Sequence, residues 1–229
     1  FVIIKQKVSS QILMLVQKHQ LVAIGEMHGA KENPQVLQEI VGLITSQKFV
    51  TVLGFELPQD LIDNPEIENK DVIQDGRYSV FHKELILNLK NKGCKVFGFD
   101  ITKDQWLQVK DNNISWRDSL MADNINNHLS ALKPNERMIL VCGDAHFTTK
   151  ESTIRITKPN GEKVLEKFSP MGSKISVNSL LALHLRYKSG QIFNHQIKVV
   201  QPITLIKEHM FRDSDDLIEV DIQEAHPTK

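Results

Sequence analysis

The sequence lacks the features that mark several large classes of protein. Its 229 residues contain only two cysteines, Cys94 and Cys142, which lie far apart in apolar segments, so neither a disulfide framework nor a CxxC site is indicated. No apolar run approaches the roughly 18 residues of a transmembrane helix, and no signal-peptide core is recognisable. The first residue is Phe1 rather than methionine, which leaves open a trimmed export signal or lipoprotein anchor, so the compartment is not assigned.

An excess of charge of one sign is also missing. Lysine plus arginine and aspartate plus glutamate number 28 each, which gives a formal net charge of +0 at pH 7. Because no strong field attracts polyanions, we expect neither nucleic acid nor anionic lipid as a partner. The GxSxG elbow, the Walker loop and the dinucleotide fingerprint are absent, which argues against the commonest serine hydrolases, NTPases and Rossmann dehydrogenases. The oligomeric state is not indicated.

Apolar segments alternate with amphipathic segments through the first two thirds of the chain. The patterns predict helices over residues 2–19, 34–48, 79–93 and 115–133, and strands over 21–25, 50–57, 95–100 and 137–144. Asn33 is the expected N-cap of the second helix, and Ser115 and Asp118 are spaced as a capping box. Apolar strands that alternate with helices are typical of a parallel sheet covered on both faces. We therefore predict an α/β fold in one domain over residues 1–229, with its core at about 20–150.

The pattern changes after residue 150. Asn160 and Gly161 form a hairpin-turn dipeptide, and residues 181–203 resemble two strands on either side of a turn at Lys188-Ser189-Gly190. We expect the segment at about 151–210 to add antiparallel strands to one edge of the sheet. The acidic and then polar tail from about Arg212 is not assigned.

Ionisable residues stand at the ends of all four predicted strands. They are Glu26 and His28 at the first strand, Glu56 at the second, Asp100 at the third, and Asp144 and His146 at the fourth. The carboxyl ends of parallel strands meet at one edge of a sheet, so we expect these side chains to lie close together. A single acid at a strand end is usually a helix cap or a solvated group. A cluster of acids and imidazoles is harder to explain in that way, because like charges repel unless a cation or shared protons offset them.

Two kinds of chemistry suit this set of residues. Histidines and carboxylates hold divalent metals that acidify a bound water. A histidine also acts without a metal as the general base for water, with a carboxylate that orients it. Gly25 and Gly143 each precede a histidine by three residues, which is expected where a strand turns abruptly and needs a positive φ or close backbone approach. The residues alone leave both alternatives open.

Two arginines are candidates for binding an anionic group. Arg117 lies in the first turn of a predicted helix, where the helix dipole disfavours a cation, so a partner outside the helix is expected. A substrate and a structural salt bridge explain it equally well. Arg77 ends the QDGR segment in the loop after the second strand, although Asp75-Gly76 is also an ordinary turn. Five other histidines are interpreted as structural or solvated: His19, His82, His128, His184 and His195.

Four short motifs resemble those of a known superfamily. GEMHG at 25–29, FELP at 55–58, WRDSLMADNI at 116–125 and GDAH at 143–146 are similar to the erythromycin esterase, ChaN-like and Tiki superfamily, whose hallmark is two GxxH motifs with a glutamate and an arginine. The resemblance implies a shared α/β site and not one activity. Tiki-like members are metal-dependent proteases, erythromycin esterases open a macrolactone with a histidine base, and ChaN-like members bind haem.

The resemblance also implies roles for individual residues. His28 is the base or a metal ligand, with His146 as its counterpart. Glu26 and Glu56 are metal ligands or orienting groups, and Arg117 clamps the substrate or an oxyanion. One departure matters, since only Met27 separates Glu26 from His28, whereas the esterases have two intervening residues. Macrolide esterase activity in particular is therefore not expected.

We predict a metal-assisted hydrolase that cleaves an ester or amide bond in a small-molecule or peptide substrate. The divalent ion is expected on Glu26, His28, Glu56 and His146, and the substrate on Arg77, Tyr78 and Asp100. The prediction requires the His28, Glu56 and His146 side chains to lie within about 10 Å of one another. The alternative is a binder of haem or another iron compound, with Tyr78 as a candidate ligand. A third possibility is a scaffold with a relic site, since fold does not fix function.

Overall fold

The computed structural model describes residues 4–65, 76–102, 104–105, 114–157 and 161–228. The helices of these residues are α1 (Gln6–Leu15), α2 (Asn33–Ser46), α3 (Gln59–Asp63), α4 (Val80–Asn91), α5 (Ile114–Leu129), α6 (Met171–Lys174) and α7 (Lys207–Met210). The strands are β1 (Leu21–Glu26), β2 (Val50–Phe55), β3 (Lys95–Gly98), β4 (Glu136–Gly143), β5 (Ser152–Thr157), β6 (Lys163–Phe168), β7 (Leu181–Tyr187), β8 (Gln191–Asn194), β9 (Gln196–Val199) and β10 (Asp216–Ile222).

Six strands form a sheet in the order β10-β7-β1-β4-β2-β3, and every neighbouring pair is parallel. The register pairs Glu26 of β1 with Gly143 of β4, and Phe55 of β2 with Val141 of β4 and Gly98 of β3. The carboxyl ends of β1, β4, β2 and β3 are therefore level, and their following loops emerge side by side. The predicted α/β fold is confirmed.

The two faces of the sheet bury separate hydrophobic clusters. In β1, Val22 and Ile24 face the cluster that includes α1, α2 and α4, whereas Leu21 and Ala23 face the cluster that includes α5 and α6. All four side chains are buried. This is the reason why the strand is apolar throughout rather than alternating, since successive side chains of a strand point to opposite faces.

The C-terminal third adds two antiparallel pairs, β5 with β6 and β8 with β9. These pairs form small sheets of their own and do not extend the main sheet. The two strands predicted around Lys188-Ser189-Gly190 are β7 and β8, but they do not pair with each other, because β7 lies parallel between β1 and β10. Asn160 of the predicted hairpin turn lies outside the described residues. The unassigned tail supplies β10, whose alternating burial is that of an edge strand.

Asn33 is not the cap that was predicted for α2. Its amide donates to the carbonyl of Met27, and its carbonyl oxygen accepts from the hydroxyl of Tyr187 at 2.5 Å. The residue is the first of the helix and fully buried. Its side chain therefore fixes the loop after β1 instead of capping the helix. In the part of the chain that the structure describes, no helix is long and apolar enough to span a membrane.

Gly29 is the residue in this loop that is most sensitive to substitution. Its φ of 86° is in the left-handed region, and a Cβ there would overlap the backbone of Phe193. We expect Gly29→Ala to lower the free energy of unfolding by about 2–4 kcal/mol, through backbone strain and steric overlap. Urea denaturation followed by circular dichroism measures the change. The control is Gly42→Ala in α2, where a Cβ would meet nothing within 4 Å and where we expect a gain of about 1 kcal/mol. Equal effects of the two substitutions would contradict this account of Gly29.

Candidate active site

His28 and His146 contact the same carboxylate from opposite sides. His28 Nε2 lies 3.7 Å from Oε2 of Glu56, and His146 Nε2 lies 3.6 Å from Oε1. These distances are far inside the limit that the hydrolase prediction sets. The arrangement follows from the strand order, because β4 lies between β1 and β2 and the three residues come from the loops after these strands.

The glycines of the two GxxH motifs make room for neighbouring side chains. Neither Gly25 nor Gly143 has a positive φ, so the turn conformation is not the reason for glycine. A Cβ on Gly25 would overlap the ring of Phe147, and a Cβ on Gly143 would lie 3.0 Å from His28 Nε2. Of the two reasons considered from the sequence, close approach is therefore the correct one.

Two guanidinium groups neutralise the carboxylates of the cluster. Arg117 Nη2 donates to Glu56 Oε1 at 2.6 Å and to Asp100 Oδ2 at 2.8 Å, while its Nε donates to Asp100 Oδ1 at 2.9 Å. Arg77 Nη1 donates to Asp100 Oδ2 at 2.6 Å and to Glu56 Oε1 at 3.2 Å. The charge repulsion expected from the sequence is thus offset by arginines.

Glu56 is ionised and its oxygens are engaged. Burial alone would raise the pKa of Glu56, but the neighbouring His146 and the charges of Arg117, His28 and Arg77 hold it well below its usual range. Its second oxygen, Oε2, accepts a hydrogen bond from the backbone N–H of Gly143 at 2.8 Å. Glu56 therefore joins the ends of β2 and β4 as well as the two histidines.

Glu26 determines which nitrogen of His28 carries a proton. His28 Nδ1 donates to Glu26 Oε1 at 3.2 Å, because an ionised carboxylate only accepts. Burial would raise the pKa of Glu26 and lower that of His28, but their hydrogen bond reverses both, with added help from Glu56 for His28 and from His82 for Glu26. The pKa of Glu26 is lowered and that of His28 is raised. In its neutral form, His28 keeps its lone pair on Nε2, on the side of Glu56.

His146 has a carboxylate partner of its own, which is Asp118. Its Nδ1 donates to Asp118 Oδ1 at 2.9 Å, and the other oxygen of Asp118 accepts from the N–H of Met171. Both oxygens of the buried Asp118 are therefore bonded to groups outside α5, so its prediction as a capping-box acid is wrong. The His146 Nε2 lies 3.3 Å from Nη1 of Arg117. The N–H of Gly172 donates to the carbonyl of His146 and fixes its loop.

Tyr78 is placed differently from the other predicted site residues. Its ring is buried in the hydrophobic core and its hydroxyl donates to the carbonyl of Pro65 at 2.7 Å. This placement does not support Tyr78 as a substrate-binding residue or as a haem ligand. Haem binding stays a prediction.

His82 and Asp118 are the site residues whose environment the sequence did not reveal. His82 is 1% exposed, with Nε2 at 4.0 Å from Glu26 Oε2. The sequence feature that could have indicated the role of His82 is its position in the first turn of α4, three residues after Ser79. The interpretation of His184 as structural agrees with its bonds to Asp144 and to the carbonyl of Ile203.

The donor atoms of the cluster do not fit a divalent ion as they are arranged. Of the four predicted ligands, Glu56 has both oxygens bonded to guanidinium or backbone N–H groups, and Nδ1 of His28 and Nδ1 of His146 are each bonded to a carboxylate. Over the described ranges, no group of three or more histidine, cysteine, aspartate or glutamate side chains is positioned to hold a metal. This geometry therefore gives no support to the predicted metal site. Metal use stays a prediction, which the metal content of the purified protein would test.

Solved structures of low sequence identity share this fold. A mutant of erythromycin esterase EreC in its open conformation aligns with a TM-score of 0.55 at 12% identity, over 87% of this chain and 80% of EreC. The type III effector HopBA1 aligns with a TM-score of 0.50 at 12% identity, over 94% of each chain. The MARTX toxin effector domain RRSP from Vibrio vulnificus CMCP6 aligns with a TM-score of 0.50 at 18% identity, over 90% of this chain.

These alignments show that the chain shares its fold with EreC, HopBA1 and RRSP. The chain spans 39% of the length of the RRSP structure. No protein-family model matches the sequence, and no curated protein matches it.

Proposed function

We propose that this protein is a hydrolase that cleaves an ester or amide bond with water activated by His28, without a metal ion. The observation that carries the proposal is the pairing of His28 Nδ1 with buried Glu26, which leaves Nε2 as the basic nitrogen beside Glu56. A histidine held by a carboxylate in this way is the arrangement that general-base catalysis uses. The fold shared with EreC, a protein named an esterase, agrees with the proposal.

The proposed reaction moves one proton through His28. Nε2 takes a proton from water as the water oxygen attacks the substrate carbonyl, and it later returns the proton to the departing alkoxide or amine. Glu26 stabilises the imidazolium that forms between these steps without taking the proton itself. We assign stabilisation of the oxyanion to the positive charges of Arg77 and Arg117, which lie in the same cluster.

A cavity next to the cluster is the proposed place for part of the substrate. Its volume is about 310 Å³, and Asp100 belongs to both the cavity and the cluster. The rest of the lining includes the side-chain amides of Gln59, Asn124 and Asn127. Side-chain amides both donate and accept hydrogen bonds, so they suit a substrate portion rich in hydroxyl or amide groups.

Hydrolysis of p-nitrophenyl acetate before and after dialysis against EDTA tests the proposal. We expect a rate above that of buffer which EDTA leaves unchanged, because no step uses a metal. The matched variant is His146→Ala, which removes the ring that lies 3.3 Å from Arg117 Nη1 and 3.6 Å from Glu56 Oε1. We expect a rate at least about tenfold lower, because Arg117 then loses a group that positions it for the oxyanion. Loss of activity on EDTA with recovery on adding Zn²⁺ would instead establish the metal-assisted mechanism. A wild-type rate equal to that of buffer and of His146→Ala would refute hydrolysis of this ester class.

A further inference from the structure

The cluster contains a buried polar contact that the proposed reaction does not use. Glu26 Oε2 and His82 Nε2 are both buried and both lack a hydrogen-bond partner among the described residues. They lie 4.0 Å apart, which is longer than a hydrogen bond but within reach of an ion pair. Glu26 is 4% exposed and His82 is 1% exposed, so His82 does not reach a substrate. Unpaired buried polar atoms are costly, and two that face each other indicate a functional reason for retaining them.

Ser79 orients the His82 ring. Ser79 is the N-cap residue of α4, but its hydroxyl makes no cap hydrogen bond to the helix. Instead its Oγ lies 2.9 Å from His82 Nδ1. When the hydroxyl donates to Nδ1, the ring proton resides on Nε2, which is the nitrogen that faces Glu26. A serine at the N-cap usually accepts a hydrogen bond from a free backbone N–H in the first turn of the helix. Here the Ser79 hydroxyl bonds to His82 instead.

A second buried histidine shows what a purely structural arrangement looks like. His19 is bonded to a serine and an acid as well, with Nδ1 at 3.1 Å from Ser179 Oγ and Nε2 at 2.8 Å from Asp216 Oδ2. Both of its nitrogens have partners at hydrogen-bond distance. His19 precedes β1 and therefore lies at the opposite edge of the sheet from His28. The Nε2 of His82, by contrast, lies 4.0 Å from its carboxylate, and that carboxylate is the buried Glu26 of the site.

We propose that His82 is a positioning residue for His28, acting through Glu26. Its Nε2–H group, oriented by Ser79, attracts Glu26 Oε2 from the buried side and holds the carboxylate with Oε1 toward His28 Nδ1. The row Ser79, His82, Glu26, His28 thereby fixes the tautomer that leaves His28 Nε2 free to accept a proton. The catalytic part of this inference rests on the proposed function, whereas the tautomer part does not.

The test compares His82→Phe, which keeps a ring of similar size without a polar atom, with His82→Gln, whose side-chain amide places an N–H near the position of Nε2. The first readout is the ¹⁵N spectrum of the His28 ring at a pH where it is neutral, with the resonances assigned by their loss in His28→Gln. We expect the Nδ1–H form in the wild type and in His82→Gln, and a mixture of both tautomers in His82→Phe. The second readout is kcat for p-nitrophenyl acetate. We expect His82→Phe to lower kcat by up to about 100-fold with KM unchanged, because the base is misplaced, and His82→Gln to restore most of it.

The controls are His19→Phe, which removes the matched histidine from the far edge, and Ser79→Ala, which changes the core little and replaces His82→Phe if that variant fails to fold. We expect the tautomer and kcat to be unchanged in His19→Phe and shifted in Ser79→Ala in the direction of His82→Phe. A His28 tautomer that is the same in wild type, His82→Phe and Ser79→Ala would overturn the proposal. Absence of wild-type hydrolysis would refute hydrolysis of this ester class and leave the tautomer part standing, since the tautomer is measured without a substrate.

Discussion

Replacement of His28 by alanine is expected to lower kcat for p-nitrophenyl acetate by about 10²–10⁴-fold, which is the usual contribution of a general base. The physical reason is that no other described group combines a free lone pair at this position with a buried carboxylate that stabilises its protonated form. Glu56 lies next to it, but its lowered pKa makes it a poor base. Steady-state kinetics on the purified variant measures the loss.

The pH profile gives an independent readout of the same residue. Because Glu26 and Glu56 raise the pKa of His28 above 6.5, the fraction of neutral base and hence kcat/KM should increase with pH through a midpoint above that value. The control variant is His19→Ala, which removes a buried histidine from the opposite edge of the sheet. A His28→Ala variant as active as His19→Ala would show that the base is a different group.

Replacement of Arg117 by methionine is expected to lower the free energy of unfolding by about 3–5 kcal/mol, the cost of leaving a buried charge without its partner. Arg117 is 8% exposed and bonds to Glu56 and Asp100 at once, so its removal exposes two carboxylates to each other with only Arg77 between them. Methionine retains most of the packing volume, which isolates the electrostatic contribution. Urea denaturation at neutral pH measures the change.

Two further variants check this interpretation. Arg186→Met removes a more exposed arginine that bonds to Asp221, and we expect it to cost less than about 1 kcal/mol. Adding Asp100→Asn to Arg117→Met should recover part of the lost stability, since one uncompensated charge is then absent. Equal losses for Arg117→Met and Arg186→Met would mean that the cluster does not depend on the buried guanidinium.

The sequence was most informative where a site residue directly follows a buried, apolar strand. The apolar segments ending in Glu26, Glu56 and His146 identified three neighbouring strands, and their parallel register then made close contact of the side chains a necessary consequence. The same reasoning placed Asp100 at this edge, and the helix-dipole argument predicted a partner for Arg117 outside its own helix. Periodicity detects such features because burial on both faces of a strand leaves a local pattern.

The features that were missed depend on contacts between distant segments. The sequence of β7 and β8 predicts a hairpin because a Ser-Gly turn separates the two strands. The parallel pairing of β7 depends instead on its neighbours β1 and β10, which come from distant parts of the chain. Asp118 has the spacing of a capping acid, but His146 and Met171 from later in the chain take both of its oxygens. His82 is likewise an ordinary helical histidine until β1 brings Glu26 against it. No local pattern records these pairings.

His28 and His146 both lie beside Glu56 in the proposed active site, and a double-mutant cycle between them tests most directly whether the ends of β1 and β4 act as one unit. Residues that act as a unit give losses that are far from additive. We predict that kcat/KM of His28→Ala/His146→Ala lies within about threefold of the slower single variant. A double variant whose loss equals the product of the two single losses would contradict the claim, because the histidines would then act independently.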